Sequence, residues 1–166
     1  MNSRPLSLLT AVFASGLFIL PTIPGQEADR PRVFTSAQAE AGRIAYDNAC
    51  GKCHTLSLLG RKGDPGELPP VSSLPDSYQK FVNARGYPYV PPLAGKNFMD
   101  RWGAKTAAEL IDRFGVTAFD KSFNFEGMTD EAVVNITAYV LQVNGAKAGT
   151  QPLTRTTRDV VSSITR

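Results

Sequence analysis

This chain of 166 residues has one histidine, two cysteines, one tryptophan and three methionines. Such scarcity limits its chemistry. One histidine excludes a histidine-rich metal cage, and two cysteines exclude a disulfide-dense scaffold. Net charge is only +3, and Arg4 is the one charged residue of the first 25. A balance this small, with no clustered basic face, argues against nucleic acid as a partner. No internal repeat, no low-complexity tract and no convincing two-residue alternation of apolar and polar residues is present. The absence of alternation argues against sheet and for an all-α chain. Twelve prolines and fourteen glycines imply many loops, and the length suits one domain.

The N-terminus is apolar. Residues Leu6 to Ile23 are interrupted only by Ser7, Thr10, Ser15, Gly16, Pro21 and Thr22, and they follow the short positive region at Arg4. This length falls between a secretory signal and a short membrane span. No clear A-x-A pattern precedes Gln26; Ala14-Ser15-Gly16 is the nearest fit. Residues 1–25 are therefore read as a signal peptide or a retained anchor through 6–23. Both readings place the rest of the chain outside the cytoplasm, in the periplasm or anchored on the outer side of the cytoplasmic membrane. Residues 26–34 form a linker.

Both cysteines and the only histidine fall in Cys50-Gly51-Lys52-Cys53-His54. A disulfide between Cys50 and Cys53 closes too small a loop to stabilise much. A thioredoxin-like redox pair shares the spacing but needs a βαβ context, and the residues before Cys50 read as helix. Zinc needs about four ligands, and three Cys or His are present. The remaining reading is covalent attachment of one c-type haem, with His54 as an axial iron ligand. Two Cys and one His scattered over this length fall into that order about once in 10⁴ arrangements, so the motif is specific.

Helix signals surround the motif. Thr35 or Ser36 can cap a helix running to Cys50, with Glu40 early, where the helix dipole favours an acid. Thr129 or Asp130 caps a second helix to about Asn144. Ala132, Val133, Ile136, Tyr139, Val140 and Val143 form its apolar stripe, and Gly145 suits the C′ position. A middle helix spans about 105–114 with Ala107, Leu110, Ile111 and Phe114 inward.

Over residues 35–147 the chain resembles the class I (mitochondrial-type) cytochromes c. Gly42 and Tyr46 stand eight and four residues before Cys50, as a glycine and an aromatic do in that family. Ile136-Thr137-Ala138-Tyr139-Val140 looks like its C-terminal helix motif, and Pro91-Pro92-Leu93-Ala94-Gly95 like its Pro-x-Leu-x-Gly turn. The resemblance implies three to five helices wrapped around one covalently attached haem, with Gly42 at the crossing of the N- and C-terminal helices. It implies that the Pro91 carbonyl accepts a hydrogen bond from the non-ligating nitrogen of His54, and that such a bond fixes the ring. It also implies that Trp102, in Trp102-Gly103 followed by Thr106, Glu109 and Leu110, reaches a haem propionate with its indole N–H. Taken singly, Gly42 could be an ordinary helix glycine, and Tyr46 and Tyr139 ordinary core aromatics.

The chain departs from the family twice. The segment 56–90 is longer than the usual connection and rich in proline and glycine, with a short helix at about 75–85. It is read as a surface insertion or as a cover for the haem edge. The family also supplies a methionine as second axial ligand, from a loop before the C-terminal helix. Here that loop, 116–127, has no methionine. Met128 stands next to the helix cap, where a hydrophobic residue packs on the first turn as a staple; it is also the candidate second axial ligand. Met99 is poorly placed, and Lys121 and Asn124 are further conjectures. Phe119, Phe123 and Phe125 could line an apolar distal side or simply pack in the core.

Two functions follow. One is extracytoplasmic electron transfer between redox proteins such as a dehydrogenase and a terminal oxidase, without catalysis by the chain itself. The other is a haem-based sensor or small-ligand-binding module with an open or labile sixth position. The polar tail, 148–166, is read as disordered or packed over the domain, with a weak helix at 157–164.

Overall fold

The computed structural model describes residues 30–59, 90–120 and 125–165, together with Ser72, Asp76, Gln79 and Lys80. The segment 1–25, most of 56–90, and Lys121, Phe123 and Asn124 lie outside the described residues. Among the described residues the chain is all-α. It contains helices α1 (Ser36–Asn48), α2 (Gly51–His54), α3 (Gly95–Trp102), α4 (Ala107–Ala118), α5 (Asp130–Val143) and α6 (Val161–Ile164). Isolated bridges join Thr35 to Gly149 and Thr106 to Val160.

The helix starts follow local chemistry. In α1 the Thr35 hydroxyl accepts from the Gln38 N–H at 3.2 Å, and Gln38 Oε1 accepts from the Thr35 N–H at 3.2 Å. Thr106 and Glu109 repeat this reciprocal cap at α4, at 3.2 and 2.8 Å. Each cap satisfies two amides that helix geometry leaves without a partner, and is worth about 1 kcal/mol. These hydrogen bonds also hold the Glu109 carboxyl below its usual pKa. Helix α5 begins at Thr129, whose hydroxyl accepts from the Ala132 N–H. It ends in a Schellman turn: Gly145 N–H reaches Gln142 O and Ala146 N–H reaches Leu141 O, both at 3.0 Å. That turn needs a left-handed residue, and Gly145 has φ +97°.

The central packing is α1 against α5. Ala39, Gly42 and Tyr46 form the buried face of α1. Gly42 lies against the α5 backbone so closely that a Cβ there would stand 1.8 Å from the Asn135 carbonyl oxygen. The ring of Tyr46 meets that of Tyr139 at 5.4 Å and 59°, a tilted arrangement that aromatic quadrupoles favour. Helix α5 also packs against α4. It is therefore buried on more than its expected stripe: Thr137, Ala138 and Leu141 join Val133, Ile136 and Val140 in the interior. Val143, expected inside, is 42% exposed, because it ends the helix beyond the crossing.

Three elements differ from the sequence reading. Helix α1 stops at Asn48, before Cys50. Helix α4 runs one turn past Phe114, because Gly115 is buried without breaking it. The eight-residue α3, not foreseen, buries Phe98 and sets Met99 and Trp102 against the core.

Of the two readings left open for the tail, packing is the one observed. Leu153, Val161 and Ile164 are core residues. The Gln38 side chain pairs with the Leu153 backbone in both directions, at 3.0 and 2.8 Å. Val161 N–H donates to Lys105 O and Ser162 N–H to Gly103 O, at 2.8 and 3.0 Å. Arg155 bridges Asp112 on α4 and Asp130 at the start of α5. Regular helix within the tail is confined to α6.

Candidate functional site

Cys50, Cys53 and His54 share a single helical turn. Cys50 caps α2, and its carbonyl accepts from the Cys53 and His54 amides at 3.1 and 2.9 Å. Residues three and four apart lie on one helix face, so both thiols and the imidazole leave the backbone on the same side. No disulfide joins the two cysteines. Burial, reinforced by the neighbouring Cys53 thiol, pushes the Cys50 thiol up to about 12. A dithiol oxidoreductase needs the opposite, a thiolate made stable near neutral pH.

The turn ends abruptly. Thr55 has φ +63° and ψ 164°, a region that a β-branched residue adopts only under strain of about 1–3 kcal/mol. The buried Tyr46 hydroxyl donates to the Thr55 carbonyl at 2.7 Å and holds that strained peptide in place. Burial keeps the Tyr46 phenol protonated, far above its ordinary pKa, so it serves as a donor throughout the physiological range.

His54 faces the Pro91 carbonyl, 37 residues on, with Nδ1 to O at 2.8 Å. A carbonyl can only accept. Nδ1 therefore carries the proton, and Nε2 presents its lone pair away from Pro91. Burial lowers the His54 pKa to about 4, against a smaller opposing effect of the Pro91 bond, so the ring is neutral at pH 7. A neutral imidazole with its distal nitrogen free of a proton, oriented by a carbonyl on the other nitrogen, is the form that ligates a metal.

The turn that presents Pro91 is itself held. Leu93 N–H donates to Leu58 O at 2.7 Å. The Asn144 side chain receives the Gly95 N–H at 3.0 Å and donates to Leu93 O at 2.9 Å and to its own helix at Val140 O at 2.8 Å.

The residues singled out in the sequence thus separate into two groups. Cys50, Cys53, His54 and Pro91 come together. Trp102 lies half-buried at the end of α3, packed on the core. Met128 is half-buried against the same core, directly before the cap Thr129. Met99 packs there too. Phe119, a candidate for the distal side, is 48% exposed at the α4 C-cap. Among the described residues, no three His, Cys, Asp or Glu side chains gather into a cage for a bare metal ion. Asn144 and the Tyr46 hydroxyl were not foreseen as site residues; the only sequence signal was the Asn144-Gly145 helix ending. When compared with family models, with curated proteins and with solved structures, the chain matches none.

Proposed function

We propose that this chain is an exported monohaem c-type cytochrome of the class I cytochrome c fold, carrying single electrons between protein partners. One observation carries the reading: the only histidine, next to two cysteines on one helical turn, is fixed through Nδ1 by a prolyl carbonyl at 2.8 Å, which leaves Nε2 to bind iron. The residues fit the group. Cys50 and Cys53 would hold it by thioethers and His54 would ligate it. Bound haem supplies a one-electron Fe(II)/Fe(III) couple.

The chain's own residues do the rest. Tyr46 holds the strained Thr55 peptide that ends the attachment turn. The backbone-to-backbone approach at Gly42 brings α1 and its terminal attachment turn onto α5. Desolvation of the half-buried His54 keeps its imidazole neutral. Partners of the dehydrogenase or terminal-oxidase kind suit such a carrier, and the apolar segment 6–23 suits export or anchoring.

A second reading, a sensor or ligand-binding module with a labile sixth position, is favoured by the packing of Met128 and Met99 against the core. The test is the optical spectrum of the dithionite-reduced protein, matured with haem, before and after CO. Wild type is compared with the Cys50→Ala/Cys53→Ala double variant and with Met128→Leu. Covalent haem in the wild type and its loss from the double variant support attachment at this turn; a wild type without it sinks the proposal. A low-spin spectrum that CO leaves unchanged supports the carrier, and CO reactivity acquired by Met128→Leu would make Met128 the sixth ligand. A prompt CO shift in the wild type transfers the lead to the sensor.

A further inference from the structure

We infer that Asn144, at the C-cap of α5, is a positioning residue for the His54 ligand, an inference that rests on the haem reading above. The route is short and each link is a hydrogen bond. Pro91 and Pro92 have no N–H and so cannot tether themselves by donating. Their rings fix φ, so the direction of the Pro91 carbonyl depends on how the chain is held just beyond the prolyl pair, at Leu93. Leu93 is held on both sides: its N–H by Leu58 O at 2.7 Å and its C=O by Asn144 Nδ2 at 2.9 Å. Two residues further, Gly95 has φ +76°, and its N–H donates to Asn144 Oδ1 at 3.0 Å.

The amide of Asn144 matches this task. Its two donors and its acceptor serve Leu93 O, Val140 O and Gly95 N–H together. Only the Val140 bond caps the helix. The other two leave α5 and grip the turn, spanning 51 and 49 residues of sequence. A residue that merely ended α5 would need neither. The geometry therefore links the C-terminal helix to the tautomer and orientation of His54 through one side chain and a rigid prolyl pair.

The test uses the holoprotein. Asn144→Ala removes the grip, and Asn144→Ser, tolerated at a helix end, removes the paired amide while disturbing the cap less. Gln38→Ala, which loosens the tail at a distance from the turn, is the control for general destabilisation. The readouts are solvent exchange of the His54 Nδ1 proton in the reduced protein, by NMR, and the midpoint potential. Both Asn144 variants are expected to speed that exchange about tenfold, the factor by which loss of one hydrogen bond shifts an opening equilibrium. A weaker Nδ1–H bond makes His54 a poorer donor to ferric iron. The potential is therefore expected to rise by up to about 59 mV, equivalent to a tenfold change for one electron. Gln38→Ala should leave both readouts at their wild-type values. Wild-type values in both Asn144 variants, or an equal change in Gln38→Ala, overturn the inference alone. Absence of covalent haem in the wild type, assayed as the pyridine haemochrome, overturns it together with the reading beneath it.

Discussion

Replacing Gly42 by alanine sets two effects of opposite sign against each other. Alanine is the better helix former, by about 1 kcal/mol in a helix interior. The added Cβ, however, would stand 1.8 Å from Asn135 O, 2.3 Å from Asn135 C and 2.9 Å from Ile136 N. All three are backbone atoms, so no side chain can turn aside. Relaxing to a contact near 3.5 Å requires α1 and α5 to part by roughly 1.5 Å, and a gap of about 0.5–1 Å already forfeits a quarter to a half of the dispersion well. Ala39, Tyr46, Ile136 and the Tyr46–Tyr139 ring pair would lose contact together. The expected net loss is about 3 kcal/mol or more, at or beyond the upper end of ordinary overpacking. Gly115→Ala is the matched comparison. Its Cβ would meet nothing closer than 3.7 Å, at an Arg155 nitrogen. Propensity then decides, and a gain of about 0.5–1 kcal/mol is expected. Urea unfolding of both variants measures the pair. A Gly42→Ala protein within about 1 kcal/mol of wild type would refute the close crossing.

Stability should fall with acid through the chain's only histidine. Its imidazole titrates near 6.5 when unfolded and at about 4 when folded, so between those values the unfolded chain binds the extra proton and is favoured. For the haem-free chain the contribution is intact above pH 6.5 and lost by pH 4, at about 3 kcal/mol. Unfolding free energies that stay flat from pH 7 to pH 5 would contradict this burial. Gln38→Ala should cost about 1–3 kcal/mol, because it removes half of the α1 capping box and both bonds to Leu153. It should also expose the Leu153 amide to hydrogen exchange; continued protection there would refute the clamp. Arg155→Ala, by contrast, breaks only exposed ion pairs. Its effect should stay below about 1 kcal/mol and disappear in 1 M salt, where screening acts within about 3 Å. A larger, salt-insensitive loss would mean that the guanidinium contributes through packing.

Legibility differed from element to element, for physical reasons. The start of α1 could be read because a capping hydroxyl is local chemistry, at Thr35; the reciprocal cap of Thr106 and Glu109 is equally local but was not read, so the middle helix was started two residues early, at 105. The end of α5 could be read because Gly145 alone suits a left-handed position. The bond from His54 to Pro91 was expected only through resemblance to a known family; no local rule joins residues that far apart. Helix α3 escaped because it is only eight residues long, follows a prolyl turn and starts at a glycine with no side-chain cap to announce it. Packing of the tail could only be left as one of two readings, because its hydrogen bonds to the domain run through backbone groups at Lys105, Gly103 and Leu153, which leave no side-chain pattern. Val143 was misplaced for a related reason: periodicity tells which face a residue shares, not whether anything covers it.

The pairing of α1 with partners far along the chain also bears on the order of events during folding. Gln38 meets Leu153 across 115 residues, and Gly42 meets Asn135. Closing so long a loop costs entropy before the contacts return any, so such a topology folds more slowly than a helical bundle of local contacts. Until α5 and the tail dock, the segment that ends in Cys50, Cys53 and His54 has no tertiary partner there. In the haem-free chain the two thiols should therefore be alkylated rapidly when refolding begins and slowly after closure, a difference that pulse labelling can time. The time before closure is the window in which the haem attachment proposed above would reach the cysteines.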